Sequence, residues 1–328
     1  MQHISDLFPA DPQTAANGQA QGSLGARSVR EIKPLSPKSA EFLRQKTQAA
    51  LQTLGQPEPP AAPANPVQPV LQLAFSKWDE DRRGVPNPLI RGGLFSTRTS
   101  KARLSFKSAK IASLSNADIL YTGEELRQDD LSVWLAIVHL GRNRVLGEPI
   151  YFTAYAIIKD MNWRMHSDSY ARLRNSIDRL KVTSIKITLR NERSGYAGSL
   201  IRDFLFDGLD EAGKSSFVVR LEPPIASLFL HENTTLVEWA QRRQIGSKAA
   251  LTLWLHMFYS SHREPIPYSV SKLREQCLSE EKDLSNFRAR LRKSLETLIS
   301  VGLLVSYAIL DDMVHVKRAV LNRRLQLA

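Results

Sequence analysis

The stretch Ala171-Arg-Leu-Arg-Asn-Ser-Ile-Asp-Arg-Leu180 recurs, almost letter for letter, as Ala289-Arg-Leu-Arg-Lys-Ser-Leu-Glu-Thr-Leu298. In the first copy Leu173, Ile177 and Leu180 stand at i, i+4 and i+7, and the second copy repeats this spacing. The spacing predicts an amphipathic helix with one apolar face, while polar and basic residues occupy the other side. Two helices of this kind in one chain are typical of a protein that binds double-stranded DNA.

The similarity extends beyond these two helices. Leu131-Ser-Val-Trp-Leu135 matches Leu251-Thr-Leu-Trp-Leu255, and Glu148-Pro-Ile-Tyr-Phe-Thr153 matches Glu264-Pro-Ile-Pro-Tyr-Ser269. The three pairs of blocks occur in the same order, at offsets of 120, 116 and 118 residues. Similarity at a nearly fixed offset indicates a duplicated unit, here of the size of a whole domain.

Each unit follows the order of a winged helix-turn-helix: a helix, a short strand, a short helix, the basic helix and a β-hairpin. In the first unit Ser167 and Asp168 are predicted to cap the basic helix. The sequence therefore predicts an α+β protein with two tandem winged-helix domains, residues 76–225 and 226–328. They follow a flexible, disordered Pro/Ala/Gln-rich region, residues 1–75. The predicted elements are helices 124–140, 154–162, 247–259, 269–278 and 284–300, strands 148–153, 184–189, 198–206, 217–221, 265–268, 303–309 and 313–317, and a helical connector over 223–244.

Composition supports a nucleic-acid partner and a location in the cytoplasm. The 328 residues carry a formal charge of +12, and residues 1–75 contribute only 6 Lys and Arg against 5 Asp and Glu. The excess therefore lies on the part predicted to fold, where it attracts phosphates, although a basic solvated surface is the alternative. The single cysteine, Cys277, is interpreted as a buried structural thiol. We find no signal peptide and no membrane-spanning run.

The candidate contacts to DNA lie on the two basic helices and the first hairpin. In the major groove Arg and Lys bind guanine O6 and N7, and Asn binds adenine N6 and N7. Basic residues of a wing suit phosphates or the minor groove. The alternative for each arginine is a solvent-facing charge, which on the two helices can pair at i, i+4 with Asp178 or Glu296. The candidates are Arg172, Arg174, Asn175, Arg179, Arg190, Arg193, Arg288, Arg290, Arg292 and Lys293.

One motif suggests an enzyme but is interpreted otherwise. Gly208-Leu-Asp-Glu-Ala-Gly-Lys-Ser215 satisfies the P-loop pattern. A P-loop must lead into a helix whose N-terminus meets the phosphates, whereas the alternating Ser216–Leu221 predicts a strand. A hairpin loop fits better. The histidines lack the spacing of a metal site, so we expect no enzymatic activity and no cofactor.

Several further blocks resemble the TrfA family of plasmid replication initiators. They occur in family order between about Leu71 and Arg318. The blocks are Trp78-Asp-Glu-Asp-Arg-Arg-Gly-Val-Pro-Asn87, Arg91-Gly-Gly-Leu-Phe-Ser-Thr-Arg98, Tyr121-Thr-Gly-Glu-Glu-Leu-Arg127, Gly147-Glu-Pro-Ile-Tyr-Phe-Thr153, Ser260-Ser-His-Arg-Glu-Pro265 and Asp311-Asp-Met-Val-His-Val-Lys-Arg318.

The resemblance implies an initiator that binds directly repeated origin sequences, called iterons, in double-stranded DNA as a monomer. It further implies a monomer–dimer equilibrium that limits plasmid copy number, opening of AT-rich DNA with the host protein DnaA, loading of the replicative helicase, and contacts with single-stranded DNA. A sliding-clamp contact stays open, because the clamp-type peptide Leu71-Gln-Leu-Ala-Phe75 lacks one residue of the usual pattern. The alternative function is a winged-helix transcriptional repressor that regulates its own operon.

Overall fold

The structure is a computed structural model that describes residues 75, 78–114, 117–190, 195–207, 215–229 and 233–319. All of them belong to one compact unit, residues 69–328. The predicted flexible region, residues 1–75, lies outside the described residues except for Phe75.

The fold is mixed α and β, as predicted. Its elements in chain order are β1 (Arg82–Pro86), α1 (Asn87–Ile90), β2 (Phe95–Ser96), β3 (Ser105–Ile111), β4 (Ala117–Glu124), β5 (Leu126–Arg127), α2 (Gln128–Gly141), β6 (Ile150–Thr153), α3 (Ala154–Asp160), α4 (Ser167–Val182), β7 (Ser184–Leu189), β8 (Gly195–Gly198), β9 (Asp203–Asp207), β10 (Ser216–Arg220), a 3-10 helix (Pro223–Phe229), β11 (Thr234–Glu238), α5 (Trp239–Ile245), α6 (Ala250–Ser260), β12 (Tyr268–Ser269), α7 (Val270–Gln276), α8 (Leu284–Ser300), β13 (Leu304–Leu310) and β14 (Met313–Arg318).

The two basic helices are α4 and α8, and their apolar faces are buried as the periodicity predicts. Their six apolar positions are all fully buried: Leu173, Ile177, Leu180, Leu291, Leu295 and Leu298. Asp283 caps α8 by accepting hydrogen bonds from the backbone N–H groups of Ser285 and Asn286. The cap of α4 differs from the prediction: His166 is the N-cap, and its Nδ1 accepts from the N–H of Asp168 at 3.3 Å.

The duplication is also visible in the sheets. The first half contains a three-stranded antiparallel sheet in the order β6-β10-β9, and the second half contains one in the order β12-β14-β13. In each sheet the short strand before the basic helix pairs with the last strand of the following hairpin. In the second half that hairpin turns at Asp311 and Asp312, both with positive φ.

The first hairpin was predicted with the wrong strands. Residues 184–189 and 198–206 were expected to pair, but β7 pairs with β8, residues 195–198, and with β4. Ile185 and Ile187 point into the core from this four-stranded sheet, ordered β3-β4-β7-β8. The strand equivalent to β13 is instead β9, which pairs with β10. Thus β7 and β8 are an insertion between α4 and the equivalent hairpin.

The described residues form two hydrophobic clusters, one around Trp134 and the other around Trp254. The helical connector predicted over residues 223–244 is wrong in its middle, because β11 pairs antiparallel with β1. Val237 and Trp239 consequently pack in the first cluster. Among the described residues, no helix combines the length and apolar character needed to span a membrane.

Candidate nucleic-acid interface

Helix α8 presents an exposed basic face. Arg292 and Lys293 are exposed and form no ion pair with any residue that the structure describes. The side chain of Arg290 is 44% exposed and lies 3.9 Å from a carboxylate oxygen of Glu281, a distance that leaves only weak pairing in water. Arg288 is turned toward the hairpin, where its Nη2 donates to Asp312 Oδ1 at 2.6 Å. Arg290, Arg292 and Lys293 therefore remain available to an anionic partner.

Helix α4 is less basic at its surface than its sequence indicates. The side chain of Arg179 is only 11% exposed, and its Nη2 lies 2.8 Å from Oδ1 of the buried Asp130. Arg172 donates through Nε to Asp129 Oδ2 at 3.1 Å, and its guanidinium lies 4.0 Å from the centre of the Trp163 ring. The expectation that Arg179 faces solvent is therefore wrong, and Arg172 is only partly accessible.

The cause lies in the first helix of each unit. At the offset of 120 residues that aligns the tryptophan blocks, Asp129 and Asp130 of the first unit correspond to Ala249 and Ala250 of the second. The buried carboxylate of Asp130 and the partly buried one of Asp129 thus attract the arginines of α4, whereas the matching positions near α8 offer none. The pair Asp129-Asp130, compared with its alanine counterparts, was the available sequence signal for this difference.

The remaining predicted positions of α4 face outward. Asn175 is exposed, on the same side of the helix as Ala171 and Asp178. Arg174 is partly buried, and its Nε atom has no hydrogen-bond partner among the described residues. At these positions α4 therefore presents an exposed amide and a partly accessible arginine, beside the exposed carboxylate of Asp178.

The basic residues of the predicted first wing are placed differently. Arg190 follows β7, is exposed, and pairs with the exposed Asp118 at 2.9 Å. Arg193 lies outside the described residues. Because β7 and β8 belong to the four-stranded sheet, Arg190 is not on the hairpin that corresponds to β13 and β14.

The P-loop-like stretch leads into a strand. Antiparallel β9 and β10 flank it, with Asp207 opposite Ser216. Residues 208–214 lie outside the described part of the chain. Because a strand and not a helix follows Ser215, the stretch has no helix N-terminus to meet a nucleotide phosphate.

The single cysteine, another candidate for chemistry, lies in the core. Cys277 is fully buried, as predicted, and burial raises the pKa of its thiol to about 11. Within the described ranges no cluster of three or more His, Cys, Asp and Glu residues could hold a metal ion.

Phe75, the last residue of the clamp-type peptide, is part of the core. Its ring is 4% exposed and lies 4.5 Å, centroid to centroid, from the ring of Phe229 and 5.8 Å from that of Trp78. A peptide that docks on another protein must expose its aromatic anchor. The position of Phe75 therefore argues against a sliding-clamp contact through this ring.

A hydrogen-bonded junction joins the two clusters through residues 91–100. Trp254 Nε1 donates to the carbonyl of Gly92 at 2.9 Å, and the Thr97 N–H donates to the carbonyl of Cys277 at 3.0 Å. Glu280 accepts from the N–H and the hydroxyl of Thr99 at 3.0 and 2.9 Å. These contacts hold the halves that carry α4 and α8 against each other.

The fold thus defines a chain built from a duplicated α/β unit, with an amphipathic basic helix in each copy. This chain belongs to the TrfA family, whose model matches residues 68–318. It is 31% identical over 245 residues to the plasmid replication initiator protein TrfA of Escherichia coli, an alignment that covers 74% of this chain and 63% of that protein. The chain thus spans less than two thirds of that relative's length.

The fold also resembles a solved structure. The crystal structure of domains 2 and 3 of RctB superposes with a TM-score of 0.50 at 13% identity, covering 70% of this chain and 97% of that one. At this identity the likeness concerns the fold alone. The family is one of plasmid replication initiators, in agreement with the expectation that the chain is not an enzyme.

Proposed function

We propose that this chain initiates plasmid replication by binding iterons in double-stranded origin DNA. The observation that carries the proposal is the exposed basic face of α8, formed by Arg290, Arg292 and Lys293, in a member of the TrfA family. These side chains match the guanine O6 and N7 acceptors of the major groove.

Each half is proposed to be a winged-helix domain. The order of α2, β6, α3, α4 and the β9–β10 hairpin is repeated by α6, β12, α7, α8 and the β13–β14 hairpin. The equal strand order of the two three-stranded sheets supports this interpretation. In a winged helix the helix before the hairpin enters the major groove. That assignment gives α8 the main role in base recognition and gives α4 a smaller one through Asn175 and Arg174.

The mechanism makes and breaks no covalent bond. Two DNA-reading helices held in one compact unit contact two successive major-groove segments, about 10 base pairs apart. Binding energy from several adjacent repeats is stored as bent DNA and lowers the cost of opening the neighbouring AT-rich segment. On the basis of the family, the proposal also includes recruitment of DnaA and the helicase, contact with single-stranded DNA, and dimers that limit copy number.

The test is the binding of the full chain to a labelled DNA fragment from upstream of its own gene. Arg292→Ala is expected to weaken binding by about 1–3 kcal/mol, or roughly 5- to 150-fold. Asn175→Ala is expected to have a smaller effect. Arg144→Ala is the matched control, because Arg144 is exposed on the loop after α2 and precedes the end of β6 that lies away from the β9–β10 turn.

Stepwise occupancy of direct repeats, lost selectively with Arg292→Ala, supports the initiator. Protection of a single palindrome over a promoter would instead establish the autorepressor, which uses the same basic helices. Equal effects of Arg292→Ala and Arg144→Ala would exclude α8 as the reading helix.

A further inference from the structure

A second basic surface lies between the halves. A cleft of ≈ 660 Å³ separates the start of α4 from residues 245–249, which are the end of α5 and the loop that leads to α6. Arg164 stands on one rim and Lys248 on the other, and both are exposed without an ion pair to any described residue. None of the lining residues that the structure describes is acidic.

The floor of the cleft connects its two walls. Trp163 lies beneath the guanidinium of Arg172, and Arg172 Nη1 donates to Ser247 Oγ at 3.4 Å. Asp129 accepts from Nε of Arg172 and is the one carboxylate that contacts this floor within the described residues. Ser169 and Ser247 add hydroxyl groups to the lining.

A fully buried cation lies behind this floor. Arg242 shares a small adjoining cavity with Trp163 and Ser247, is 3% exposed, and among the described residues donates only to uncharged oxygens. Those oxygens are the hydroxyl of Ser132, the Gln128 carbonyl and side-chain oxygens, and the Leu253 carbonyl. Burial lowers the pKa of Arg242 to about 9, so it keeps its charge at neutral pH.

A buried charge without a counter-ion is costly, and an anion nearby reduces that cost. The surface favours a polyanion over a single small ion. A shallower depression of ≈ 320 Å³, lined by Lys159 and Arg243, shares Asn162 with the cleft. Exposed cations thus continue beyond the cleft, as a phosphodiester backbone requires.

We propose that this junction cleft binds a backbone phosphate of duplex DNA, at the segment between the two contacted by α4 and α8. The inference rests on the proposed function, since it locates a further contact on the same DNA. Arg164 and Lys248 hold the phosphate from the two rims, and Arg172 orders the floor. The contact carries no base information and sets the register of the duplex between the two reading helices.

The test scans the bound repeat, defined first by footprinting, with single uncharged methylphosphonate linkages. For the unaltered chain, the linkage at the cleft is expected to weaken binding. With Lys248→Ala the same linkage is expected to cause little further loss, while the other sensitive linkages keep their effects. The log–log salt slope of Lys248→Ala should be less steep by about 0.9. Lys107→Ala, which removes an exposed lysine from β3, serves as the matched control.

A Lys248→Ala variant that stays sensitive at every linkage would overturn the inference and leave iteron binding by α4 and α8 in place. Failure of the unaltered chain to bind repeats would overturn both the cleft inference and the proposed function. Free phosphate is tested separately by thermal unfolding in inorganic phosphate or chloride at equal ionic strength. Stabilisation by phosphate that depends on Lys248, without a linkage effect, would assign the cleft to free phosphate and also overturn the inference.

Discussion

The buried carboxylate of Asp130 is expected to be essential to the fold of the first half, and Asp130→Asn tests this. Oδ1 accepts from Arg179 Nη2 at 2.8 Å and from the Ser176 hydroxyl at 2.7 Å. Oδ2 accepts from Arg103 Nη1 at 2.7 Å and from the Arg127 N–H at 2.8 Å. Asp130 itself is completely buried, so water cannot replace a lost acceptor.

The magnitude follows from the number of donors. The Nε of Arg179 also donates to Oδ1, at 3.1 Å, so the carboxylate accepts from five donors. An asparagine presents one NH₂ group where the carboxylate has an oxygen, so at least two of the five donors lose their acceptor. Hydrogen bonds to charged groups contribute about 1.5–3 kcal/mol each. Removing one partner of a buried ion pair costs about 3–5 kcal/mol. We therefore expect Asp130→Asn to lower the free energy of unfolding by about 3–5 kcal/mol.

Urea unfolding of the full chain, followed by far-ultraviolet circular dichroism at neutral pH, measures this loss. The midpoint should fall with little change in the slope m. Asp203→Asn is the matched control: Asp203 pairs with Arg202 and Arg220, but its side chain is 37% exposed, and we expect a loss below about 1 kcal/mol. A loss below about 1 kcal/mol for Asp130→Asn would refute the structural role assigned to Arg179.

Three further outcomes are expected. Burial opposes ionisation of Glu280, but hydrogen bonds from Thr99 and Ser100 outweigh it and lower its pKa from 4.5 to about 2. Its stabilisation is therefore complete above about pH 5 and lost toward pH 2, so Glu280→Gln should show a smaller loss of stability over that range in acid titrations. Iodoacetamide should modify Cys277 at about pH 8 only in the unfolded chain, by mass spectrometry. Phe75→Ala should cost about 3–5 kcal/mol in urea unfolding.

A specific result would contradict each of these three predictions. Equal acid sensitivity of Glu280→Gln and the unaltered chain would mean that the junction does not depend on this carboxylate. Rapid alkylation of the folded chain would mean that Cys277 is accessible. An unchanged urea midpoint for Phe75→Ala would mean that Phe75 is not part of the core and is free to dock on another protein.

Local patterns were sufficient to predict the long basic helix α8 and several short elements, whereas α1 was not predicted and residues 124 and 126–127, predicted as helix, lie in strands. The sequence predicted α8 at residues 284–300, its observed bounds, because its apolar period of 3.6 is a property of neighbouring residues. The turn at Asp311 and Asp312 likewise lies between the two strands predicted over 303–309 and 313–317. The short strand β6 and the short helix α3 were found within two residues of their ends.

Pairings between distant residues could not be predicted in this way. Strand β11 pairs with β1, which lies more than 140 residues earlier in the chain. The five residues of β11 contain no pattern that identifies β1 as the pairing strand. The sequence also did not reveal whether an arginine side chain of a helix faces solvent or the protein interior. Periodicity places Arg179 away from the apolar face, but the carboxylate of Asp130, supplied by another helix, draws it into the protein.

The hydrogen-bonded junction between residues 91–100 and the second half has a consequence for the DNA itself. The hydrogen bonds from Trp254 to Gly92 and from Thr97 to Cys277 leave helices α4 and α8 little freedom to rotate against each other. One inserted base pair turns the second groove segment by about 34–36° about the duplex axis and moves it by about 3.4 Å. On the proposed function, the protein therefore measures the spacing between the two groove segments. It tolerates base substitutions between them far better than insertions or deletions there.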